Sequence, residues 1–437
     1  MAGGTYTVMN KVRPGVYINF VSEGSAATLG DRGTAAIGLT LPWGASKTIV
    51  TLEAGEDPST KLGYDITGSP LLLVREALKR AKTLLVFRLN TGTKATVTSG
   101  NLTATARYGG VRGNDLSIAI AVNVDDNSKY DVSTLLSGTV VNKQTVASIA
   151  GLVSNNWIDW SGTGALAASA GAPLTGGADG TVVNGDHTDF LNAVELQDFQ
   201  TVAYAGTDST LKGVYAAFAR RLRDDEGRKI QVVVENYPSA DFEGVISVKN
   251  GVKLDDGTTL TAGQATAWVA GATAAAAANL SLTYTAYDGA VDAGTRFTNA
   301  QTIAALQNGE LVFTARAGGV VVEQDINSFH SFSPTKSRLF AKNRTLRVLD
   351  GLANDWKNTF EAAYIGKVGN DDAGRALFRK DCVKIVTAYQ GIGAIQNFDP
   401  LTDISVVQGD DADSVVVTAA IQPVDAIEKI YMKVQVR

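Results

Sequence analysis

Cysteine, histidine, methionine and proline are all scarce in this chain of 437 residues, which contains one, two, three and nine of them respectively. The single cysteine, Cys382, excludes an intramolecular disulfide, and its place in the helical pattern FRKDCVKIVTAY reads as a buried structural thiol. The two histidines, His187 in NGDHTDF and His330 in NSFHSFS, have no second histidine or cysteine at metal-ligand spacing, so each reads as a polar turn residue. No run approaches the roughly 18 apolar residues that a membrane helix requires, and the N-terminal MAGGTYTVMNKVRP lacks the apolar stretch of a secretory signal. The expectation is therefore synthesis in the cytosol, no export by that route and no membrane insertion by this chain. Few prolines, 45% hydrophobic residues and a mean hydropathy near zero exclude a disordered composition. A net charge of -5 argues against nucleic acid as a partner.

Motifs of catalysis are also missing. There is no G-x-S-x-G elbow and no G-x-x-x-x-G-K-[ST] phosphate loop. GKVGN at 366–370 has neither a Ser or Thr after its lysine nor a strand before it, so it reads as a turn after a helix. The acidic pairs Asp224-Asp225 and Asp410-Asp411 fall in turn-like, solvated settings where nothing would raise a carboxyl pKa for acid work. These observations imply no enzyme, no cofactor and no metal.

What is present is a change of periodicity along the chain. TAAIGLT (34–40) reads as a buried strand, SPLLLVREALKRAK (69–82) as a helix with Ser69 as N-cap and Pro70 in its first turn, and TLLVFRLN (83–90) as a strand. From about Gly92 to Gly180, short Thr, Val and Ala alternations broken by Gly, Asn and Asp turns predict an inserted β-sandwich, with one helix-compatible stretch at 142–155. The α/β alternation then resumes with FQTVAYAG, a helix over 209–225, the apolar strand KIQVVVEN, an Ala-rich helix at 263–278, a helix at 299–307 and the strands ELVFTA and GVVVEQDI. Near-continuous apolar strands alternating with helices predict a doubly wound parallel sheet. Beyond it, Leu349, Ala353, Trp356 and Phe360 form the seam of a long helix, a second helix covers 372–389, and 404–408, 414–419 and 430–436 read as strands.

Charge is unevenly spread. Between Lys336 and Lys384, eleven basic residues face six acidic ones, so an acidic protein carries a basic section. Lys336, Arg338, Lys342, Arg344 and Arg347 follow one another with no intervening acid, either as a solvated helix face or as a docking surface for an acidic partner. Both ends of the chain alternate as strands do: Gly15, Val16, Tyr17, Ile18, Asn19 and Phe20 near the start, and Ile430, Tyr431, Met432, Lys433, Val434, Gln435 and Val436 at the finish. A terminal strand must pair within its own chain or be donated to a neighbour.

The strings RPGVYINF, PLTGGADG, ENYPSADFEGVISVKNG, VAGATAAAAANLSLTYTAYDGA, VVVEQDINSF, KNRTLRVLDGLANDW and PVDAIEKIYMKVQV, in this order and nearly from end to end, resemble the tail sheath proteins of contractile-tailed bacteriophages and R-type bacteriocins, above all those of Gram-positive phage-like particles. The resemblance implies an α/β multidomain fold: a subtilisin-like α/β domain without a catalytic triad, an inserted β-sandwich, and an α+β C-terminal sheath domain carrying exchanged terminal strands. In those terms residues 1–33 are an N-terminal arm and linker, 34–91 an N-terminal α/β segment, 92–180 the sandwich, 181–332 the subtilisin-like domain and 333–437 the C-terminal sheath domain.

It further implies a structural protein that polymerises with itself, as a helical homopolymer of hexameric rings, around a tail tube protein, between baseplate and tail terminator. Such a sheath contracts to drive the tube through the target envelope. It is assembled in the bacterial host cytoplasm and ends in a virion tail or bacteriocin particle. The terminal segments 15–20 and 430–436 become the exchanged strands, and the five basic residues become candidate contacts to an acidic tube. A surface-layer-like assembly protein and a catalytically dead hydrolase are the alternatives.

Overall fold

The computed structural model describes residues 30–436, together with the backbone of Gly3–Gly4 and Val16–Tyr17. The chain divides into two compact units, one of residues 31–354 and 425–437, the other of residues 1–30 and 355–424.

The larger unit is built on a seven-stranded sheet. Its elements are β1 (Thr34–Leu39), β2 (Ile49–Glu53), α1 (Leu72–Leu78), β3 (Thr83–Arg88), α2 (Asn184–Glu195), β4 (Thr201–Ala203), α3 (Ser209–Arg220), β5 (Gln231–Glu235), β6 (Val245–Val248), α4 (Ala262–Ala275) and β7 (Glu310–Leu311). The strand order is β7-β6-β5-β4-β1-β3-β2, parallel throughout except for the edge strand β2. Alternate side chains feed two cores, as the pleat requires. Ala35, Ile37, Leu84, Val86 and Val233 pack with α1 and α4 on one face, while Ala36, Leu85, Phe87, Val232 and Val234 pack with α2 and α3 on the other. Strands buried on both faces explain the near-continuous apolar runs.

Helix α4 is buried almost all round, and its small residues permit very close packing. A Cβ placed on Gly271 would lie 2.3 Å from the Ala77 carbonyl oxygen of α1. Its N-terminus is closed by a reciprocal cap in which Thr261 Oγ1 accepts from the Gln264 N–H at 3.1 Å and the Gln264 side chain accepts from the Thr261 N–H at 3.0 Å. The helix expected over 69–82 is shorter, a 3-10 turn over Ser69–Leu71 followed by α1, and the residue before it is Gly68, with no side-chain cap.

Between β3 and α2 the chain leaves the sheet, pairs Gly92–Thr93 with Ala178–Asp179, and between these forms two larger antiparallel sheets. Thr139–Val146, Tyr130–Leu136, Leu116–Val122 and Ser169–Pro173 make one, and Ile158–Gly162, Leu102–Ala106 and Thr96–Ser99 the other. They enclose Leu102, Ala104, Leu116, Ile118 and Val132, and Trp43 enters the same core against Tyr108 and Trp157 at ring distances of 5.4 and 5.3 Å. The helix considered for 142–155 is not formed. Its first half completes an edge strand and a 3-10 turn spans Ile149–Gly151, because alternating Val, Lys and Thr side chains suit a pleated surface.

A long helix, α5 (Asn343–Ala363), starts in the larger unit and continues into the smaller one. In the smaller unit α6 (Asp372–Gly391) is N-capped by Asp371, and a hairpin follows, β8 (Ile404–Gln408) against β9 (Val415–Ala419). Phe360, Tyr364 and Phe378 cluster with ring distances of 4.7 to 6.1 Å, and Cys382 is buried on α6, its thiol pushed up to about 12 by burial. Val16–Tyr17 pairs in parallel with Gly3–Gly4, while the other positions of the expected N-terminal strand lie outside the described residues.

Candidate assembly interface

The β8/β9 hairpin has strong strand formers and little cover. Val406 opposes Val417 and Val407 opposes Val416, so β-branched pairs hold the register. One side leans on α6, where Ile404 is buried and its carbonyl accepts from Arg379 Nε at 3.0 Å. Val407, Val416 and Val417 remain exposed, and among the described residues neither outer edge meets another strand. A two-stranded sheet is marginal by itself, and such edges are templates for pairing.

The C-terminal segment expected as a strand, 430–436, is not one in the isolated chain. It has no regular secondary structure and pairs with no strand among the described residues. Ile430, Tyr431 and Val436 are 75%, 91% and 95% exposed, so the alternation of the sequence has no face to bury. Strand-patterned sequence acquires ladder hydrogen bonds only where a sheet edge accepts it, and among the described residues none does.

The root of this segment is fixed by Glu428. Its carboxylate accepts from Thr283 Oγ1 at 2.8 Å, Gln324 Nε2 at 2.8 Å and Lys342 Nζ. Burial alone would raise its pKa, but the bonds from Lys342, Gln324 and Thr283 and the Lys342 charge outweigh it and hold the carboxyl below the usual glutamate range.

The five basic residues do not form one face. Lys336 pairs with Glu243 at 2.6 Å and lies over the rings of Phe242, Phe329 and Phe340. Lys342 is buried and pairs with Glu428, with Asp425 at 3.8 Å. Arg344 is half-buried, its Nε without a hydrogen-bond partner. Arg347 is buried against Asp325, Nη2 to Oδ2 at 2.6 Å, and also donates to the Leu280 carbonyl at 2.6 Å. Only Arg338 is exposed, and it forms no ion pair among the described residues. The acids that engage the others come from distant positions, which a count along the sequence could not reveal.

His187 is not the polar turn residue expected, whereas His330 lies in an irregular segment as expected. His187 lies on α2, buried, with Nδ1 2.9 Å from the Tyr215 hydroxyl, and His330 is half-buried beside Asp241. The acidic pairs Asp224-Asp225 and Asp410-Asp411 are exposed. Among the described residues no three His, Cys, Asp or Glu side chains converge as a metal site, and no helix is long and apolar enough to cross a membrane.

An open hairpin and a strand-patterned end that meets no strand among the described residues are features of a chain that can pair with further strands. Comparison with known proteins gives the family. Residues 32–89 match the tail sheath protein Gp18 domain III N-terminal region, 90–179 the phage tail sheath protein beta-sandwich domain, 180–328 the phage tail sheath protein central domain and 335–437 the phage tail sheath C-terminal domain. The phage-like element PBSX protein XkdK of Bacillus subtilis (strain 168) is 40% identical over 466 aligned positions, covering all of both chains. The crystal structure of a sheath tail protein from Desulfitobacterium hafniense is 56% identical, with a TM-score of 0.87 over 97% of this chain and 100% of that one. The helical sheath of the anti-feeding prophage in its contracted state, 12% identical, shares the fold with a TM-score of 0.57 over 97% of this chain and 99% of its own. The chain belongs to the phage tail sheath family, and its role is structural, in the sheath of a contractile tail.

Proposed function

We propose that the chain polymerises with itself into a helical sheath around a tail tube, joined by strands exchanged between copies. The observation that carries this reading is the pairing of supply and demand in one molecule: among the described residues, segment 430–436 is exposed and meets no strand, and the hairpin β8/β9 has two open edges. A seven-residue strand extends roughly 23 Å and offers several backbone bonds, each worth about 1 kcal/mol net. Donation from head to tail does not close on itself, so it generates an open helical array. The N-terminal segment around Val16–Tyr17 serves as the second donated strand. Ladder bonds persist when subunits rotate as rigid bodies, so the same mesh passes from an extended to a contracted lattice and drives the tube through the target envelope.

The α/β unit in this reading is a subtilisin-like scaffold without its chemistry, assembled in the host cytoplasm and carried in the particle. Of the five basic positions, Arg338 is the one free to meet an acidic tube, with the partly exposed Lys336 beside it; Lys342, Arg344 and Arg347 contribute by holding the surface that presents them. The test is negative-stain electron microscopy of the full chain beside variants lacking 1–20 or 430–437. Tubes or stacked rings from the full chain, lost in both truncations while each stays folded by circular dichroism, are expected. Equal assembly by the truncated chains would refute strand exchange.

A further inference from the structure

At the root of the C-terminal segment the usual burial pattern is inverted. Ile427 is 89% exposed and Ile430 75% exposed, yet the charged side chain between them, Glu428, is only 11% exposed. A chain left to water buries isoleucine and solvates glutamate. Here the glutamate meets a prepared site. Lys342, itself buried, supplies the counter-charge, and the Thr283 hydroxyl and Gln324 amide supply two further donors. The site is continuous with the buried network of the α/β unit. Thr283 Oγ1 accepts from the Asp325 N–H at 2.9 Å, and the Asp325 carboxylate holds Asn343 and Arg347.

We propose that Glu428 is the positioning residue of the C-terminal strand, a clamp that fixes the point from which residues 429–437 leave the subunit. This rests on the strand-donation reading and adds what aims the strand. With Glu428 seated, only the terminal residues are free, and they search a small volume around one exit. With it released, residues 425–428 join the free segment and lengthen its reach by about 13 Å. A longer, unaimed tether lowers the effective concentration of the strand at the neighbouring edge. The exposed Ile427 and Ile430 are the apolar surface kept for that neighbour.

Limited trypsin digestion of the unassembled chain tests the clamp, because Lys429 follows Glu428 directly and Lys433 lies beyond it. In the natural chain cleavage after Lys433 is expected to outrun cleavage after Lys429. Glu428→Gln or Lys342→Gln is expected to raise the Lys429 rate about tenfold, since a bond to a charged group is lost. The double variant should go no further, because one clamp opens only once. Cleavage elsewhere should not change, which separates release of the root from loss of the fold. Equal rates at Lys429 and Lys433 in the natural chain, or additive effects, would overturn the proposal. So would tubes formed by both single variants as readily as by the natural chain. Tubes formed by a chain lacking 430–437 would instead remove strand donation itself, and the clamp's role with it, even with the protease result intact.

Discussion

Removing Asp325 should cost more than removing Arg347, although the two share one ion pair. The arginine side chain is 2% exposed and the aspartate 1%, so both charges are fully desolvated. Their bond is 2.6 Å, but the carboxylate does more than pair: Oδ2 also accepts the Leu282 N–H at 2.9 Å, and Oδ1 the Asn343 amide at 3.0 Å. Asp325→Ala leaves a buried guanidinium without its counter-charge and strands two donors. Breaking a buried pair in this way costs about 3–5 kcal/mol, and the stranded donors put the value near the upper end. Arg347→Ala is milder. It leaves the carboxylate its two N–H partners and removes Nε and Nη1 of Arg347, which are buried without partners and costly to keep. The expected loss is about 2–3 kcal/mol, so the variants should differ by about 2 kcal/mol, or roughly 30-fold in the unfolding equilibrium. Urea unfolding at concentrations where the chain is unassembled, followed by tryptophan fluorescence and circular dichroism, measures both. An equal or larger loss in Arg347→Ala would refute the reasoning. So would two variants within 0.5 kcal/mol of the natural chain, since Arg347 would then be a surface residue.

Gly271→Ala tests packing on α4. Such a change within a helix normally gains up to about 1 kcal/mol, but here the new methyl would sit 2.3 Å from the Ala77 carbonyl, so the urea midpoint should fall; a rise would refute the close contact. His187 predicts a pH dependence. Burial holds its imidazole below the ordinary histidine range, so the unfolded chain binds the proton more readily. The stability it contributes is complete above about pH 6.5 and is lost as the pH falls from there toward the lower folded value. His187→Gln should flatten the fall of the urea midpoint between pH 7 and 5, and an unchanged slope would count against it.

The doubly wound sheet was legible because its strands are apolar on both faces, and that signal is local: Ala35 and Ala36, or Leu84 and Leu85, point to opposite cores wherever they stand. The Ala-rich helix and the hairpin 404–419 were legible for the same reason, as propensity and periodicity act within a few residues. Segment 142–155 was harder, since it half-fits a helix until a neighbouring strand selects the extended form over its first residues, 142–146. The basic section shows the limit most plainly. The sequence displays Lys336 and Lys342 as positive charges, but the carboxylates that pair with them, Glu243 and Glu428, are 93 and 86 positions away. Coulomb attraction depends on distance in space, which only the folded chain supplies.

By itself, then, the sequence determined what each segment is able to become: strands buried on both faces, a sandwich insert, and ends patterned for pairing. Tertiary structure decided which of those capacities are used inside the chain and which stay open. It turned most of a basic run into internal ion pairs and seated Glu428 between two exposed isoleucines. Among the described residues, it also left 430–436 and the edges of β8/β9 without a partner strand. The physical reason is that backbone bonds, ion pairs and burial all require a partner at contact distance, and local sequence specifies only one side of each contact.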